Sequence, residues 1–303
     1  GIITTPKHGQ AEIEEITGDR VKEGLNKGKV VIVAGFQGFN RDTREITTLG
    51  RGGSDATAVA LAASLNADVC EIYTDVEGVF TSDPRIVKNA KLINEITYEE
   101  MLEMASSGAK VLMARSVEFG RRYNVPIKVS STFKDGEGTV VKDKVMEQAI
   151  ISGVTHNDKE IKFTLFGVPD QPGIAAKVFR PLSDIGINVD MIVQNVSKEN
   201  KSDISFKAPL NQLSSVQETL SPIAEKLGAE GLDVDESIAR VSLIGAGMKS
   251  ESGIAAKMFE TLGEESININ MISTSPIRIS CVIDKKNVEK ALNILHHAFL
   301  ETS

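Results

Sequence analysis

The second half of this 303-residue chain contains an internal repeat, and a repeat restricts the fold more than a single motif does. Residues 173–192 (GIAAKVFRPLSDIGINVDMI) and 253–272 (GIAAKMFETLGEESININMI) lie 80 residues apart and are identical at 11 of 20 positions. Each copy follows a short segment typical of a strand, KFTLFG (162–167) or RVSLIG (240–245). Apolar residues recur in each copy at helical spacing: Ile174, Val178, Phe179 and Leu182 in the first, and Ile254, Met258, Phe259 and Leu262 in the second. The pattern predicts two α+β units of about 75 residues each.

The βαββαβ order predicted for each unit resembles the ACT domain, a small fold that binds small molecules and usually amino acids. The turn before each helix, PDQPG (169–173) or KSESG (249–253), lies at a helix N-terminus, where backbone N–H groups can bind a carboxylate. These turns favour an amino-acid sensor. The alternative is a duplicated structural module that binds no ligand.

The first half alternates between predicted strands and helices. KVVIVAGF (29–36) is typical of a buried parallel strand, and DATAVALAASLNA (55–67) is typical of a helix. DVCEIYT (68–74) and PIKVSS (126–131) predict two further strands. TYEE (97–100) has the spacing of a capping box and predicts a helix start. This alternation predicts an α/β fold with a mostly parallel sheet and helices on both faces.

The domain boundaries follow from these elements. FKDGEGTVVKDK (133–144) marks a turn and the way out of the α/β part, which we predict over residues 1–148. We predict the first ACT unit over 161–235. The second unit is predicted to combine 149–160 with 236–303.

Composition excludes several functional classes. A net charge of −8 argues against nucleic acid or an anionic membrane surface as the main partner. No apolar run approaches the roughly 20 residues of a membrane span, and GIITTPKHGQ (1–10) lacks the features of a signal peptide. Cys70 and Cys281 imply no disulfide framework, so we expect a cytoplasmic protein. The histidines have no metal-ligand spacing, and no metal site is predicted.

A glycine-rich loop suggests an anion site. In TTLGRGGSDATAVALAASLNA (47–67), three glycines surround Arg51 directly before the predicted helix. Free backbone N–H groups, a helix N-terminus and a guanidinium fork can together hold a carboxylate. The alternative is a turn in which Ser54 or Asp55 only caps the helix. A Walker P-loop is excluded because no G-x-x-x-x-G-K-[ST] occurs, and GAGMKS (245–250) has the wrong glycine spacing.

Residues 47–87 resemble the aspartate kinases (aspartokinases) of the amino-acid kinase family through their TLGRGGSD and TDVEGVFTSDPR blocks. The resemblance continues through SSGAKVLMARSVEFG (106–120) into the two ACT units, as in monofunctional bacterial aspartokinases. It implies ATP-dependent phosphorylation of L-aspartate to 4-phospho-L-aspartate, the first step towards lysine, threonine, methionine and diaminopimelate.

The resemblance also implies the residues of the active site. Arg51 would bind an aspartate carboxylate, Gly52, Gly53 and Ser54 would add loop contacts, and Asp55 would hold the arginine side or the substrate amine. ATP, accompanied by Mg²⁺, would contact Thr74, Asp75, Phe80, Asp83, Arg85, Lys110 and Val111. Phe80 replaces a tyrosine that is frequent in the family.

For regulation, the resemblance implies lysine, threonine or both as effectors. The effector site would lie in the first ACT unit and be completed by the second, with Asp170, Gly173, Ala175, Asn188, Asp190 and Gln194 lining it and Asn268 and Ser275 nearby. Assembly through the ACT units, as a homodimer or as α and β subunits, is expected.

One family motif is absent. The kinase domain of the family begins with a K-[FY]-G-G strand whose lysine contacts ATP phosphates, and these 303 residues contain no such motif. We therefore expect an N-terminally truncated aspartokinase that is inactive alone. A non-catalytic, amino-acid-binding regulatory fragment or subunit is the main alternative. A kinase for glutamate, carbamate or a nucleotide is a third, against which the tandem ACT units argue.

Overall fold

The computed structural model describes residues 1–145, 149–196 and 200–301. In its first half, two four-stranded sheets have the strand orders β2-β1-β3-β4 and β5-β7-β8-β6. Their strands are β1 (Ile2–Thr4), β2 (Ile13–Ile16), β3 (Gln37–Phe39), β4 (Ile46–Thr48), β5 (Cys70–Thr74), β6 (Glu95–Thr97), β7 (Ile127–Ser131) and β8 (Thr139–Lys142). The helices are α1 (Asp19–Asn26), α2 (Gly53–Leu65), α3 (Tyr98–Ser106) and α4 (Ala114–Tyr123).

Several elements of this half confirm the sequence prediction. The strands predicted over 68–74 and 126–131 are β5 and β7, which pair in parallel. The predicted capping box begins α3: Thr97 Oγ1 accepts from the Glu100 amide, and the Glu100 carboxylate accepts from the Thr97 amide. Three of the sheet pairings are parallel and three are antiparallel, so each sheet is mixed.

The strand predicted for KVVIVAGF is wrong. Residues 29–36 form no strand, and the side chains of Val30 and Ile32 are each 95% exposed. A buried parallel strand needs hydrogen-bonded neighbours and a packed layer on each face. No strand among the described residues pairs with this segment. The apolar run therefore lies on the surface.

The second half repeats one architecture twice. The sheet orders are β11-β12-β10-β13 and β15-β16-β14-β9. The strands are β9 (Gly153–Asn157), β10 (Glu160–Pro169), β11 (Asp190–Val196), β12 (Lys201–Pro209), β13 (Gly231–Asp235), β14 (Ile238–Ile244), β15 (Met271–Ser275) and β16 (Arg278–Asp284), and the helices are α5 (Ile174–Asp184), α6 (Leu213–Leu227), α7 (Ile254–Glu264) and α8 (Val288–His296). In the second sheet, β9 takes the edge position that β13 takes in the first. β9 therefore precedes the first unit in the sequence, although it belongs to the sheet of the second unit.

The two repeat helices are held by equivalent apolar contacts. Val178 and Leu182 of α5 are fully buried in the core of the first unit, and Met258 and Leu262 of α7 are buried in the second. Burying a side chain of this size stabilises the fold by about 1.5–3 kcal/mol. Val87 of the α/β part also packs into the second core. The α/β part and the second unit therefore share a hydrophobic core.

None of the helices in the described ranges combines the length and the apolar character that crossing a bilayer requires.

Candidate active site and effector site

The loop between β4 and α2 requires glycine at two positions. Gly50 and Gly52 have φ angles of +81° and +70°, in the left-handed region that favours glycine. A Cβ atom at Gly52 would lie 1.9 Å from Met113 Cγ, and one at Gly50 would lie 2.4 Å from the carbonyl oxygen of Gly9. The loop is thus packed between residue 9 and the start of α4, and this packing determines where Arg51 leaves the backbone.

Unpaired backbone donors occupy the N-terminus of α2. Gly52 is the N-cap residue and has no side chain with which to cap the helix, so the arrangement in which Ser54 or Asp55 caps it is not observed. Within the described ranges, the amide groups of Gly52, Ser54 and Asp55 donate to no protein acceptor. The Arg51 side chain is exposed. Free amides, a helix N-terminus and a guanidinium together suit a carboxylate ligand.

Asp55 lies in the first turn of α2, on the side that faces β5. Burial raises the pKa of Asp55. Burial, followed by the negative charges of Asp55 and Glu71, raises the pKa of the Cys70 thiol to about 11. Asp55 therefore places a carboxylate between the glycine loop and the second sheet, where it could attract an ammonium group.

The charged residues predicted to bind ATP lie close together. Arg85 and Asp83 form a bidentate ion pair, in which Nε donates to Oδ1 at 2.9 Å and Nη2 donates to Oδ2 at 2.7 Å. This hydrogen bonding lowers the pKa of Asp83. The charge of Asp75 also acts on Arg85, and the charges of Asp83, Lys110 and Arg85 act on His156 of β9. These charges therefore act on one another and on His156, which lies on a strand of the second ACT-like unit.

The uncharged residues predicted for the nucleotide have structural contacts. Thr74, at the end of β5, donates from Oγ1 to Asp75 Oδ1 at 3.1 Å. Phe80 is half-buried and forms a single antiparallel bridge with Leu92. Val111 packs against the core of the second sheet. Phe80 and Val111 are therefore fixed by the protein itself.

Of the predicted effector residues of the first unit, half lie at the start of α5 and half lie just before or on β11. Asp170 and Asn188 are exposed, Gly173 is the N-cap residue with φ +87°, and Ala175 is half-buried. Gln194 donates to Ser202 Oγ at 3.2 Å. Asp190 is the exception, because its carboxylate pairs with Arg240 Nη1 of the second unit at 3.0 Å.

A pocket of about 420 Å³ opens at the equivalent place in the second unit. The turn before α7 and the end of β15 form its walls, which contain Met248, Lys249, Glu251, Gly253, Ile254, Ala255, Thr274, Ser275, Pro276 and Ile279. Ser275, which the sequence predicted near an effector site, lies on the wall. Asn268 lies outside it and donates to Asn270 Oδ1 at 3.3 Å. Lys249 and Glu251 place a positive and a negative charge at the opening of this pocket. A zwitterionic ligand needs both charges, one for its carboxylate and one for its ammonium group.

The sequence pattern predicted Glu100 as a capping residue but did not predict its hydrogen bonds to the second ACT-like unit. Glu100 is 3% exposed, and its Oε1 accepts from Ser152 Oγ at 2.6 Å and from the Ala246 amide at 3.0 Å. Ala246 begins the turn that leads into the pocket of the second unit. Glu103 and Ser106 of the same helix contact Arg278 and Arg240. All three positions lie three residues apart, so one face of α3 contacts the second unit.

A buried ionic cluster joins the two ACT-like units, and sequence reasoning also missed it. Glu160 of β10 pairs with Lys207 Nζ at 2.6 Å and with Arg240 Nη2 at 2.9 Å. Burial is the main cause that lowers the pKa of Lys207, and the nearby charge of Arg240 adds to it. In the sequence, this cluster is marked only by charged residues that occur within strand segments: Glu160 in β10, Lys207 in β12 and Arg240 in β14.

A hydrogen bond also joins α8 to the α/β part. Thr81 Oγ1 lies 2.8 Å from Nε2 of the fully buried His296. The other nitrogen of His296 lies 2.8 Å from the Glu301 carboxylate. Hydrogen bonds from His297 and His296 lower the pKa of Glu301 to about 2. The segment that carries Asp83 is therefore held by the C-terminal end of the chain.

Comparison with known proteins defines the class. Residues 2–131 match the amino acid kinase family, and residues 163–225 and 241–299 each match the ACT domain. The fold class predicted from the sequence, a partial α/β kinase domain followed by two ACT domains, is confirmed.

Relatives along the whole chain define the family. An aspartokinase from Mycolicibacterium smegmatis is 51% identical over 305 residues, which cover 99% of this chain and 72% of the relative. The crystal structure of E. coli aspartokinase III in complex with aspartate and ADP (R-state) superposes with a TM-score of 0.83 at 30% identity, covering 98% of this chain and 67% of that one. Its complex with lysine and aspartate (T-state) gives 0.76 at 29%, covering 99% and 67%. This chain belongs to the aspartokinase family.

Proposed function

We propose that this chain forms the aspartate-binding and regulatory part of an aspartate kinase, which transfers a phosphoryl group from ATP to the side-chain carboxylate of L-aspartate. The products are 4-phospho-L-aspartate and ADP. The observation that supports this most is the uncapped N-terminus of α2, whose free amides lie beside the exposed Arg51. A relative of the same family binds aspartate and ADP.

In this proposal, each predicted group has a physical role. Arg51 and the free amides of Gly52 and Ser54 hold a carboxylate of aspartate, and Asp55 attracts its ammonium group. Gly53, whose amide already donates to the Gly50 carbonyl, supplies a further loop contact. Lys110 and Arg85 offset the negative charge that accumulates on the phosphoryl group in the transition state. Thr74, Asp75, Phe80, Asp83 and Val111 complete the nucleotide side.

Kinases of this family use ATP, and we propose that Mg²⁺ enters with the nucleotide. Mg²⁺ is usually held by phosphate and water oxygens with one or two carboxylates, so it needs no closed protein cage. The chain fits this requirement: no group of three or more metal-binding side chains occurs among the described residues, while Asp75 is an exposed carboxylate beside the Asp83–Arg85 pair.

We also propose that transfer requires a segment with the K-[FY]-G-G motif, which these 303 residues lack. The 303 residues preceded by such a segment are called the complete enzyme below. The test is ADP release coupled to formation of an acyl phosphate from L-aspartate, with L-glutamate as the control substrate. We expect turnover with aspartate in the complete enzyme and none in the 303-residue chain. Turnover with glutamate alone would refute the proposal.

Regulation is proposed to reside in the ACT units, with lysine, threonine or both as effectors. The pocket beside Ser275 supports this, because Lys249 and Glu251 place a cation and an anion in its lining. The predicted first-unit residues around Asp170 and Asn188 form the equivalent region. Calorimetric titration of the 303-residue chain with each amino acid tests the assignment. Binding of neither amino acid would count against it.

A homodimer, or an assembly of α and β subunits, is proposed to form through the sheet edges of the ACT units. β11 and β15 are edge strands, and they expose Ile192 and Ile272 at equivalent repeat positions. Exposed apolar edge strands are prone to pair with another chain. Light scattering should show a mass of two chains that Ile192→Lys or Ile272→Lys reduces. An unchanged mass in both variants would exclude these edges.

A further inference from the structure

We propose that Arg115 is a positioning residue that holds the glycine loop in the geometry needed for aspartate. The inference rests on the proposed function, because it assigns a task to that same site. Arg115 lies in the first turn of α4 and is half-buried. It belongs to neither group of residues predicted to touch substrate.

The guanidinium of Arg115 bridges the two segments that enclose the loop. Nη1 donates to the carbonyl oxygen of Leu49 at 3.2 Å, and Nη2 donates to that of Ala11 at 2.8 Å. Leu49 directly precedes the loop. Ala11 lies two residues after Gly9, whose carbonyl packs against Gly50 of the loop. Leu49 and Ala11 are both buried, so water does not replace these donors readily.

Besides Arg115, the loop is restrained by the Leu49 amide, which donates to the Phe36 carbonyl oxygen at 3.0 Å, and by packing of Gly50 on the Gly9 carbonyl. Three of its residues are glycines, which lose the most conformational freedom when they become ordered. Its own hydrogen bond, from the Gly53 amide to the Gly50 carbonyl, closes only a single turn. Met113 adds a steric restraint, because it presses against Gly52 from the N-cap of α4. The start of α4 therefore supplies one steric and one polar restraint.

This arrangement connects the two sides of the candidate active site. Met113 and Arg115 follow Lys110, a residue predicted for the nucleotide, by three and five positions. A short stretch of chain therefore carries a nucleotide-side cation and the restraints on the substrate-side loop. Displacement of a substrate-binding group by about 1 Å can cost on the order of 100-fold in rate. Loss of Arg115 should accordingly weaken the use of aspartate much more than the use of ATP.

The first test measures hydrogen–deuterium exchange in the 303-residue chain. Arg115→Met should accelerate exchange in peptides covering residues 49–55 and leave β5 and β7 unchanged. Arg115→Lys, which keeps the charge and can reach one carbonyl, should give an intermediate rate. Arg121→Met is the matched control, since Arg121 is an exposed arginine of the same helix, 3.5 Å from Glu99. Unchanged loop exchange in Arg115→Met, or equal acceleration across the whole kinase part, would overturn the proposal.

The second test measures kinetics in the complete enzyme. We expect Arg115→Met to raise KM for aspartate at least about tenfold and to leave KM for ATP within about twofold. Added methylguanidinium should partly restore aspartate use by occupying the vacated site. A purely structural role would change both KM values alike and give no rescue, and this result would refute positioning. If the wild type phosphorylated no aspartate, the proposed function would fail, while the exchange experiment would still decide the role of Arg115.

Discussion

Glycine at position 52 is required for two separate reasons, its backbone conformation and the space beside it. Gly28 provides a comparison, because its φ is also +70° but no atom lies within 4 Å of its ideal Cβ position. The left-handed conformation costs a non-glycine residue roughly 1–2 kcal/mol. At Gly52 the contact with Met113 adds to this cost.

We therefore predict that Gly52→Ala destabilises the chain more than Gly28→Ala does. Urea unfolding should give a loss of about 1–2 kcal/mol for Gly28→Ala and at least about 1 kcal/mol more for Gly52→Ala. Adding Met113→Ala should recover part of the difference, since it removes Met113 Cγ, the nearest clashing atom. Equal losses in the two single variants would show that the loop is not packed against Met113.

His156 lies where the regulatory half meets the predicted nucleotide residues. Burial, the largest cause, lowers its pKa below 6.5, and Lys110 and Arg85 act in the same direction. Asp158 and Asp83 oppose them. The carbonyl oxygen of His156 would lie only 1.8 Å from a Cβ at Gly108, so the loop before Lys110 packs directly on this residue.

A pH dependence follows from this lowered pKa. Just below pH 6.5 the unfolded chain binds more protons at His156 than the folded chain, so stability falls as the pH drops through this window. His156→Gln removes this contribution. Its unfolding free energy should fall less steeply than that of the wild type from pH 6.5 downwards, with both proteins first compared at pH 8. Parallel curves would contradict the assignment.

At the scale of elements, α3 makes several polar contacts between the kinase part and the second ACT unit. Its contacts at residues 100, 103 and 106 share one face. The helix then leads into the loop that carries Lys110. A change at the turn beginning with Ala246 would therefore act on Glu100 and move a helix that ends near the nucleotide side.

We predict that Glu100→Gln destabilises the chain by about 2–3 kcal/mol, because an amide nitrogen cannot accept the hydrogen bonds that one carboxylate oxygen now receives. Glu99→Gln is the matched control. Glu99 is the adjacent residue, and its contacts with Arg121 and Lys249 are exposed, so its loss should cost less than about 1 kcal/mol. Urea unfolding measures both. Equal effects would show that Glu100 is only a helix cap.

Local sequence patterns predicted the elements whose cause is local. The capping box at Thr97, the strands β5 and β7 and the repeat helices follow from neighbouring residues or from periodicity. The strand prediction for residues 29–36 was wrong because a strand also needs neighbouring strands to pair with, and the sequence of the segment does not specify those neighbours. The same limit applies to the site: Arg115 lies 66 positions from Leu49, and Glu100 lies 146 from Ala246. The glycine loop could be predicted, but the residues that hold it could not.

At the scale of the whole molecule, the proposed effector and substrate sites lie on separate parts, so the proposed inhibition requires two global states that each ligand binds differently. Such coupling typically amounts to about 1–3 kcal/mol, which one or two hydrogen bonds can supply. The ionic cluster of Glu160, Lys207, Arg240 and Asp190 joins both ACT units, and Arg240 also donates to Ser106 of α3 at 2.9 Å. These contacts link both ACT units to α3 of the kinase part.

We predict that Ser275→Phe in the complete enzyme leaves uninhibited turnover nearly unchanged and raises the lysine or threonine concentration needed for inhibition, because the ring fills the pocket. Inhibition curves measure this directly. Asn195→Phe, at the equivalent position of the first unit, separates the two candidate sites. If Ser275→Phe abolished turnover and left effector affinity unchanged, Ser275 would belong to the catalytic or folding machinery instead.

The most direct test of the account is the steady-state kinetics of Arg51→Ala in the complete enzyme with L-aspartate as the varied substrate. A hydrogen bond to a charged group is worth roughly 1.5–3 kcal/mol, so kcat/KM for aspartate should fall about 10- to 100-fold with the fold intact. Arg44→Ala, an exposed arginine outside the glycine loop, serves as the control and should match the wild type. Wild-type kinetics in Arg51→Ala would contradict the claim that this loop binds the substrate.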